Sequence, residues 1–244
     1  KQATWLIPIM GGPKKNGKIR ICVDYRKLNT TTVIDAFPLP FTNGVLDAVA
    51  GHEVYNFLDG FSGYNQIWMH PADQEKTAFV TEWGVFVGVV MMFGLKTAPT
   101  TFQRIIMEIF GEYIPGFMQV FLDDFAVYNR QTEHLDHLRL CLEKCREYRL
   151  SLNPAKCVFV VASGNLLGHI VSKEGIVVDP DKIRAILEAP APNNAKALSR
   201  MIRHLVDFAT PLHAVVHRVP FQWAETEEKA YQVLRYKLNI GQVG

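Results

Sequence analysis

Two adjacent carboxylates, Asp123 and Asp124, stand between the apolar runs Phe117-Met118-Gln119-Val120-Phe121-Leu122 and Phe125-Ala126-Val127-Tyr128. Runs of this length read as short buried strands, which places the pair at or beside the turn of a β-hairpin. Carboxylates held among hydrophobic strands are unfavourable unless a positive partner offsets them. A divalent cation meets that need, because magnesium takes hard oxygen ligands. Asp-Asp is also an ordinary turn sequence, and a third carboxylate upstream shifts the balance toward chemistry. Asp59 closes the strand-like run Val54-Tyr55-Asn56-Phe57-Leu58 and is followed at once by Gly60. Gly60 and Gly63 are expected to allow a tight turn and a close ligand approach to the backbone. Three such carboxylates can hold two magnesium ions roughly 3.5–4 Å apart, one activating an attacking hydroxyl and one neutralising leaving phosphates. Taken alone, Asp59 reads more simply as a strand-end turn residue.

The elements that must position these groups are legible in outline. Strands are expected around 19–23 and 77–81, a helix after Pro99, and a second helix at about 133–149. In that second helix Leu135, Leu138 and Leu142 mark the expected buried stripe. His134, His137, Cys141 and Cys145 suggest a zinc site, but on a helix His137 and Cys145 sit about 12 Å apart. Zinc bonds near 2.0–2.3 Å cannot close across that span, so the four read as structural. A glycine turn at Lys173-Glu174-Gly175 leads to a short helix opened by Asp179-Pro180, then a Pro-Asn linker at 190–194 and weaker helical segments.

Composition sets bounds. The 244 residues suffice for a substantial core in one domain or two. A net charge of +2 and a pI near 8.3 are weak for a nucleic-acid protein. Residues 1–30, however, carry Lys1, Lys14, Lys15, Lys18, Arg20, Arg26 and Lys27 against one acid, Asp24. That excess suits a phosphate-facing arm and equally a solvated face. No apolar run reaches the roughly 18 residues of a membrane helix, and no leader opens the sequence, so an intracellular protein without membrane contact is expected. Cys22, Cys141, Cys145 and Cys157 then read as reduced thiols.

Further segments stand in a specific order across residues 5–190: Lys14-Lys15-Asn16-Gly17, Arg20-Ile21-Cys22-Val23-Asp24-Tyr25-Arg26-Lys27-Leu28-Asn29, Phe37-Pro38-Leu39-Pro40, the stretch 57–67, Asp73-Gln74-Glu75-Lys76-Thr77-Ala78-Phe79, Phe93-Gly94-Leu95, Ala98-Pro99, Thr101-Phe102-Gln103-Arg104, Phe121-Leu122-Asp123-Asp124, Lys156-Cys157 and Leu167-Gly168-His169. In this order the chain resembles the reverse transcriptase domain of gypsy-like long-terminal-repeat retrotransposon polyproteins, particularly those of plants. The resemblance implies an α+β right-hand polymerase fold: fingers at 1–50 and 76–96, palm at 51–75 and 97–172, and a thumb or connection remnant at 173–244. It implies templated DNA synthesis on RNA or DNA, with a DNA primer, dNTPs and two magnesium ions, manganese serving as a substitute. Asp59, Asp123 and Asp124 match the family's metal-binding carboxylates. Gly60 and Phe93 fall beside the incoming nucleotide, and Tyr64 falls where an aromatic ring excludes a 2′-hydroxyl. Tyr64 reads equally as a half-buried tyrosine. Arg20, with Lys14 or Lys15, matches triphosphate contacts. Lys156 matches a lysine that protonates leaving pyrophosphate; otherwise it is a surface lysine. Gln103 and Arg104 resemble residues lining the template–primer groove, and Leu167-Gly168-His169 resembles the hairpin that grips the primer end.

Departures from the pattern accompany the matches. Where the family reads Tyr-Arg-Val-Met-Pro-Phe-Gly, this chain has Gly88-Val89-Val90-Met91-Met92-Phe93-Gly94. A stiffening proline is lost there, and an expected strand gains a flexible glycine worth roughly 0.5–1 kcal/mol of destabilisation. Gly11-Gly12 is expected to interrupt a strand, and about three helical turns are missing between Leu198 and Phe208. These features suggest a partial or decayed copy. A catalytically silent remnant that still binds nucleic acid, and an interaction module without nucleic acid, therefore stand as alternatives.

Overall fold

The apolar runs around Asp123 pair as strands. A computed structural model of the chain describes residues 7–13, 19–195, 197–198 and 223–239. Two compact units are present, Lys1–Ala162 and Ser163–Gly244.

The first unit holds two four-stranded sheets. In one, β1 (Ile7–Pro13) pairs antiparallel with β2 (Ile19–Val23) and parallel with β4 (Phe79–Thr81), which turns back into β5 (Gly84–Phe86). The Gly11-Gly12 pair does not interrupt β1: Gly11 is registered against Ile21 and Gly12 against Arg20. Ladder hydrogen bonds use the backbone alone, so missing side chains leave the pairing intact. The expected strand at 77–81 is shorter, because residues 75–77 form a 3₁₀ turn. Gly88 lies outside any strand. Its N–H donates to Thr77 Oγ1 at 2.8 Å, and a Cβ there would stand 2.9 Å from Met92 Cγ. The glycine is therefore a close-packing residue under Met92 rather than a flexible point within a strand.

The second sheet has the order β6-β7-β3-β8, from β6 (Met118–Phe121), β7 (Asp124–Asn129), β3 (Val54–Asp59) and β8 (Val158–Val161). Because β3 is central and covered on both faces, its Tyr55, Asn56, Phe57 and Leu58 are all buried. Of the helices α1 (Arg26–Thr31), α2 (Thr42–Val49), α3 (Pro71–Gln74), α4 (Ala98–Phe110) and α5 (His134–Glu147), α4 supplies the main core stripe. Pro99 sits in its first turn, where a missing N–H is harmless, and Phe102, Ile106 and Phe110 follow at four-residue spacing. They pack with Met118, Phe125 and Val127 of the sheet.

Helix α5 corrects the expected stripe. Leu135 is 66% exposed and Leu142 39%, whereas His134, Cys141 and Cys145 are buried. The helix turns Leu135 and Leu142 outward and leaves Leu138 half-buried, because its other face fits the sheet. His134 Nε2 meets Asn56 Nδ2 at 2.7 Å, and Asn56 Oδ1 accepts from Val160 N at 2.8 Å, so one buried amide joins α5 to β8. His137 stacks on Phe117 with ring centroids 3.9 Å apart. Cys141 Sγ lies 3.7 Å from Met118 Sδ. Burial pushes the Cys141 thiol up to about 12 and that of Cys145 to about 11, as expected of packed thiols.

The second unit begins with β9 (Ser163–Leu166), β10 (His169–Ser172) and β11 (Gly175–Val178), an antiparallel meander. Helix α6 (Pro180–Glu188) and α7 (Glu225–Asn239) follow. Tyr231 of α7 donates to Ala189 O at 2.9 Å just beyond α6. The hairpin at 163–172, assigned to the palm on the sequence, thus falls in the second unit. The expected shortening between Leu198 and Phe208 lies outside the described residues. Among those described, no helix is long and apolar enough to cross a membrane.

Candidate active site

Strand pairing sets the carboxylates side by side. Asp59 ends β3 and is the register partner of Asp124, which opens β7. Asp123 occupies the turn between β6 and β7, beside Leu122 at φ +55°. A non-glycine residue rarely adopts that conformation, and two contacts hold it. The Leu122 N–H donates to Gln103 Oε1 at 2.7 Å, and Gln103 Nε2 donates to Val120 O at 3.1 Å. Gln103 is fully buried. It therefore cannot line an open groove, because both ends of its amide are committed to the aspartate turn. Gly60 N donates to Asp123 O at 2.9 Å, tying the two carboxylate-bearing segments together through backbone.

The segment after Asp59 is shaped by packing. Gly63 approaches α4 so closely that a Cβ would lie 3.1 Å from Phe102 Cζ. Its small size serves that contact rather than a ligand approach, and the left-handed residue of the turn is Ser62, at φ +51°. The Tyr64 ring stands 5.1 Å from that of Phe93 and 5.6 Å from that of Phe102. Burial raises its phenol, and the Asp123 charge adds to the rise, so the ring borders the carboxylates. Phe93 is half exposed next to it.

Lys156 Nζ lies 2.8 Å from Asp59 Oδ2. Its ammonium is held above the ordinary lysine range first by that bond, with Asp123 and Asp124 contributing through their charges. Asp124 as a residue keeps solvent access, yet the protein around its carboxyl weakens hydration of the charged form. Desolvation first, then Asp123 and Asp59, raise it from 3.8 to about 6, with Lys156 pulling the other way.

A raised carboxyl opposes folding once the unfolded chain's aspartate has ionised. Stability from this group is thus fully present below about pH 4 and falls as pH rises toward 6. We expect the gain from Asp124→Asn in chelator-treated protein to grow by about 1 kcal/mol between pH 4 and 7, the shift being discounted for solvent screening. Melting curves of both chains across that range measure it, and parallel curves would remove the charge crowding.

Hard carboxylate donors suit magnesium, and three of them with a single lysine leave negative charge to be offset. Even so, among the described residues no three His, Cys, Asp or Glu side chains converge as they stand to hold a metal ion. The donor types fit; their present arrangement is one in which Asp59 faces Lys156.

Other candidate residues are placed as follows. Arg104, on α4, pairs with Asp35 at 3.4 Å and Glu108 at 3.3 Å while its side chain stays 40% exposed. Arg20 belongs to β2, and Lys14 and Lys15 lie outside the described residues. Leu167 and Gly168, both at positive φ, form the two-residue turn between β9 and β10, and His169 opens β10. Sequence reasoning missed Asn153, whose N–H donates to Asp59 O at 2.8 Å, and the Cys157 thiol, which accepts from Asp59 N at 3.4 Å. Their proximity to Lys156 in the chain was the available signal.

The chain is similar to known proteins along most of its length. The family described as "Reverse transcriptase (RNA-dependent DNA polymerase)" matches residues 12–171. Identity to the Retrovirus-related Pol polyprotein from transposon opus of Drosophila melanogaster is 37% over 199 residues, covering 81% of this chain and 20% of that polyprotein. Identity to the Transposon Tf2-3 polyprotein of Schizosaccharomyces pombe is 29% over 240 residues, covering 93% of this chain and 18% of that one. The chain thus spans about a fifth of these relatives' length. Among solved structures, the foamy viral protease-reverse transcriptase dRH in complex with double-stranded DNA superposes with a TM-score of 0.83 at 19% identity, covering 98% of this chain and 44% of that one. The same viral protein in complex with an RNA/DNA hybrid gives 0.82 at 18%, covering 98% and 34%. At such identity the likeness is one of fold, the α+β right-hand polymerase fold.

Proposed function

Because the chain belongs to the reverse transcriptase (RNA-dependent DNA polymerase) family, we propose that it is an RNA-directed DNA polymerase domain transferring a nucleotide from a dNTP to a primer 3′-hydroxyl. The observation that carries this reading is the cross-strand register of Asp59 with Asp124, with Asp123 in the adjoining turn. As its source we propose a gypsy-like retrotransposon polyprotein acting inside the cell, and as its partners an RNA or DNA template and a DNA primer. The relatives named as retroelement polyproteins support a retrotransposon source, and the viral enzymes held on nucleic acid support the nucleic-acid partners.

Asp59, Asp123 and Asp124 would hold the magnesium ions, with manganese as a substitute. When bound, the metal lowers the barrier to attack by the primer hydroxyl and offsets charge on the departing phosphates. The chain's own groups do the rest. Lys156, which lies beside Asp59, is assigned the role of giving an Nζ proton to the leaving pyrophosphate. Arg20 and the lysines at 14 and 15 are assigned to the triphosphate, Arg104 to the template–primer, and Leu167, Gly168 and His169 to the primer end. Tyr64 and Phe93 form the wall on which the nucleotide sugar rests.

The test is extension of a DNA primer on an RNA template by the purified chain with magnesium, and its loss on chelation. Absence of extension alongside salt-sensitive template–primer binding would favour the silent remnant. For the sugar wall, Tyr64→Val is expected to raise ribonucleotide incorporation relative to the matched deoxyribonucleotide by roughly 10–100-fold, the scale of one steric contact in a fitted pocket. Because the ring also packs on Phe102, the ratio on one template is the measurement, not the absolute rate. An unchanged ratio would make Tyr64 a packing residue.

A further inference from the structure

The turn that carries Lys156 is fastened to Asp59 at several points. Asn153 N donates to Asp59 O at 2.8 Å, Cys157 Sγ accepts from Asp59 N at 3.4 Å, and Lys156 N donates to Asn153 O at 3.0 Å. The lysine reaches across 97 positions of sequence to place Nζ 2.8 Å from Asp59 Oδ2. Backbone contacts thus deliver one ammonium to one carboxylate oxygen. Among residues whose side chains are described, no other Lys or Arg pairs with Asp59, Asp123 or Asp124. Nor are the three carboxylates gathered as they stand into a set that holds a metal.

These facts set up a conflict that rests on the polymerase reading above. An ammonium bonded to Asp59 Oδ2 competes for a carboxylate that would hold a divalent ion, and it repels that ion. A lysine so bonded also commits an ammonium N–H to Asp59 rather than to a leaving group. We infer that Lys156 is the site's internal counter-cation: it holds Asp59 while the site is empty of metal, and metal binding displaces it toward the leaving group. The proton donor is then sequestered until the carboxylates are loaded, and loading and release are one exchange at Asp59. The lysine's long stem suits the movement, since its side chain is 61% exposed and its charge can swing without disturbing the core.

The exchange predicts competition that binding alone can read. Mn²⁺ affinity is measured on the full chain without nucleic acid or nucleotide, from the free aquo-ion signal in electron paramagnetic resonance. Lys156→Met should bind Mn²⁺ about tenfold tighter than the parent, the scale of one unit charge facing a dication a few ångströms away through a largely aqueous dielectric. Lys156→Arg, which keeps the charge, should stay near the parent. Asp59→Asn should weaken binding and erase the effect of the lysine, so that Asp59→Asn alone and Asp59→Asn combined with Lys156→Met bind Mn²⁺ equally. Equal affinity in the parent and Lys156→Met would overturn the exchange while leaving the metal site standing. Failure of every chain, parent included, to bind Mn²⁺ would overturn both the exchange and the metal reading beneath it.

Discussion

Asp123→Asn is expected to lower primer extension by roughly 10²–10³-fold, the scale of removing one preorganised electrostatic partner of a transition state. The fold should survive unchanged. Asp123 sits at an accessible turn, and its contribution to local structure is the backbone carbonyl that accepts from Gly60 N at 2.9 Å. Asparagine keeps that carbonyl and the side chain's shape, and removes only the negative charge. The measurement pairs single-turnover extension with a melting curve. Extension at the parental rate would sink the carboxylate mechanism, and a large fall in melting temperature would make Asp123 a structural residue.

The second large effect belongs to Gln103, a residue that touches no reacting atom. Gln103→Leu keeps the volume but strands the Leu122 N–H and the Val120 carbonyl inside the protein. Each buried polar group left unpaired costs about 1–3 kcal/mol. A total near 3 kcal/mol would lower the melting temperature by roughly 6–12 °C for a chain of this size. Leu122, released from its left-handed conformation, would let the Asp123-Asp124 turn relax, so extension should fall more steeply than the loss of folded protein explains. Gln103→Glu should also fail at neutral pH, since a carboxylate can accept from Leu122 but cannot donate to Val120. A Gln103→Leu chain that melts and extends like the parent would show that the turn holds itself.

The contrast between Asp123 and Gln103 shows what the sequence made legible. The aspartate hairpin could be read because its strands are continuous apolar runs and its turn is charged, a local pattern. The partners that hold it are not local. Gln103 reaches Leu122 across 19 positions and Lys156 reaches Asp59 across 97, and no periodicity announces either. Helix α5 misled for a related reason. Its leucines gave the expected amphipathic stripe, but the sheet offers Asn56 and the turn before β6 offers Phe117, which suit His134 and His137 better than aliphatic side chains. Gly88 was legible as a departure but not as a contact, because Met92, which fills the space above it, declares itself only in three dimensions.

Strand β3 is bounded on both edges, by β7 through a register that runs from Val54↔Asn129 to Asp59↔Asp124, and by β8 with an irregularity between Tyr55 and Phe57. Side chains alternate along such a strand, so inserting or deleting one residue turns every later group to the opposite face. Such a change upstream of Asp59 would carry its carboxylate away from Asp124 and from Lys156 together. The β8 edge already contains its one departure from regular pairing, and Val160, at φ +53°, is pinned there by Asn56. The stretch 54–59 should therefore tolerate no change of length, whatever substitutions its buried positions accept. A one-residue insertion or deletion here would part Asp59 from both neighbours at once, whereas a substitution alters a single side chain and leaves the register standing.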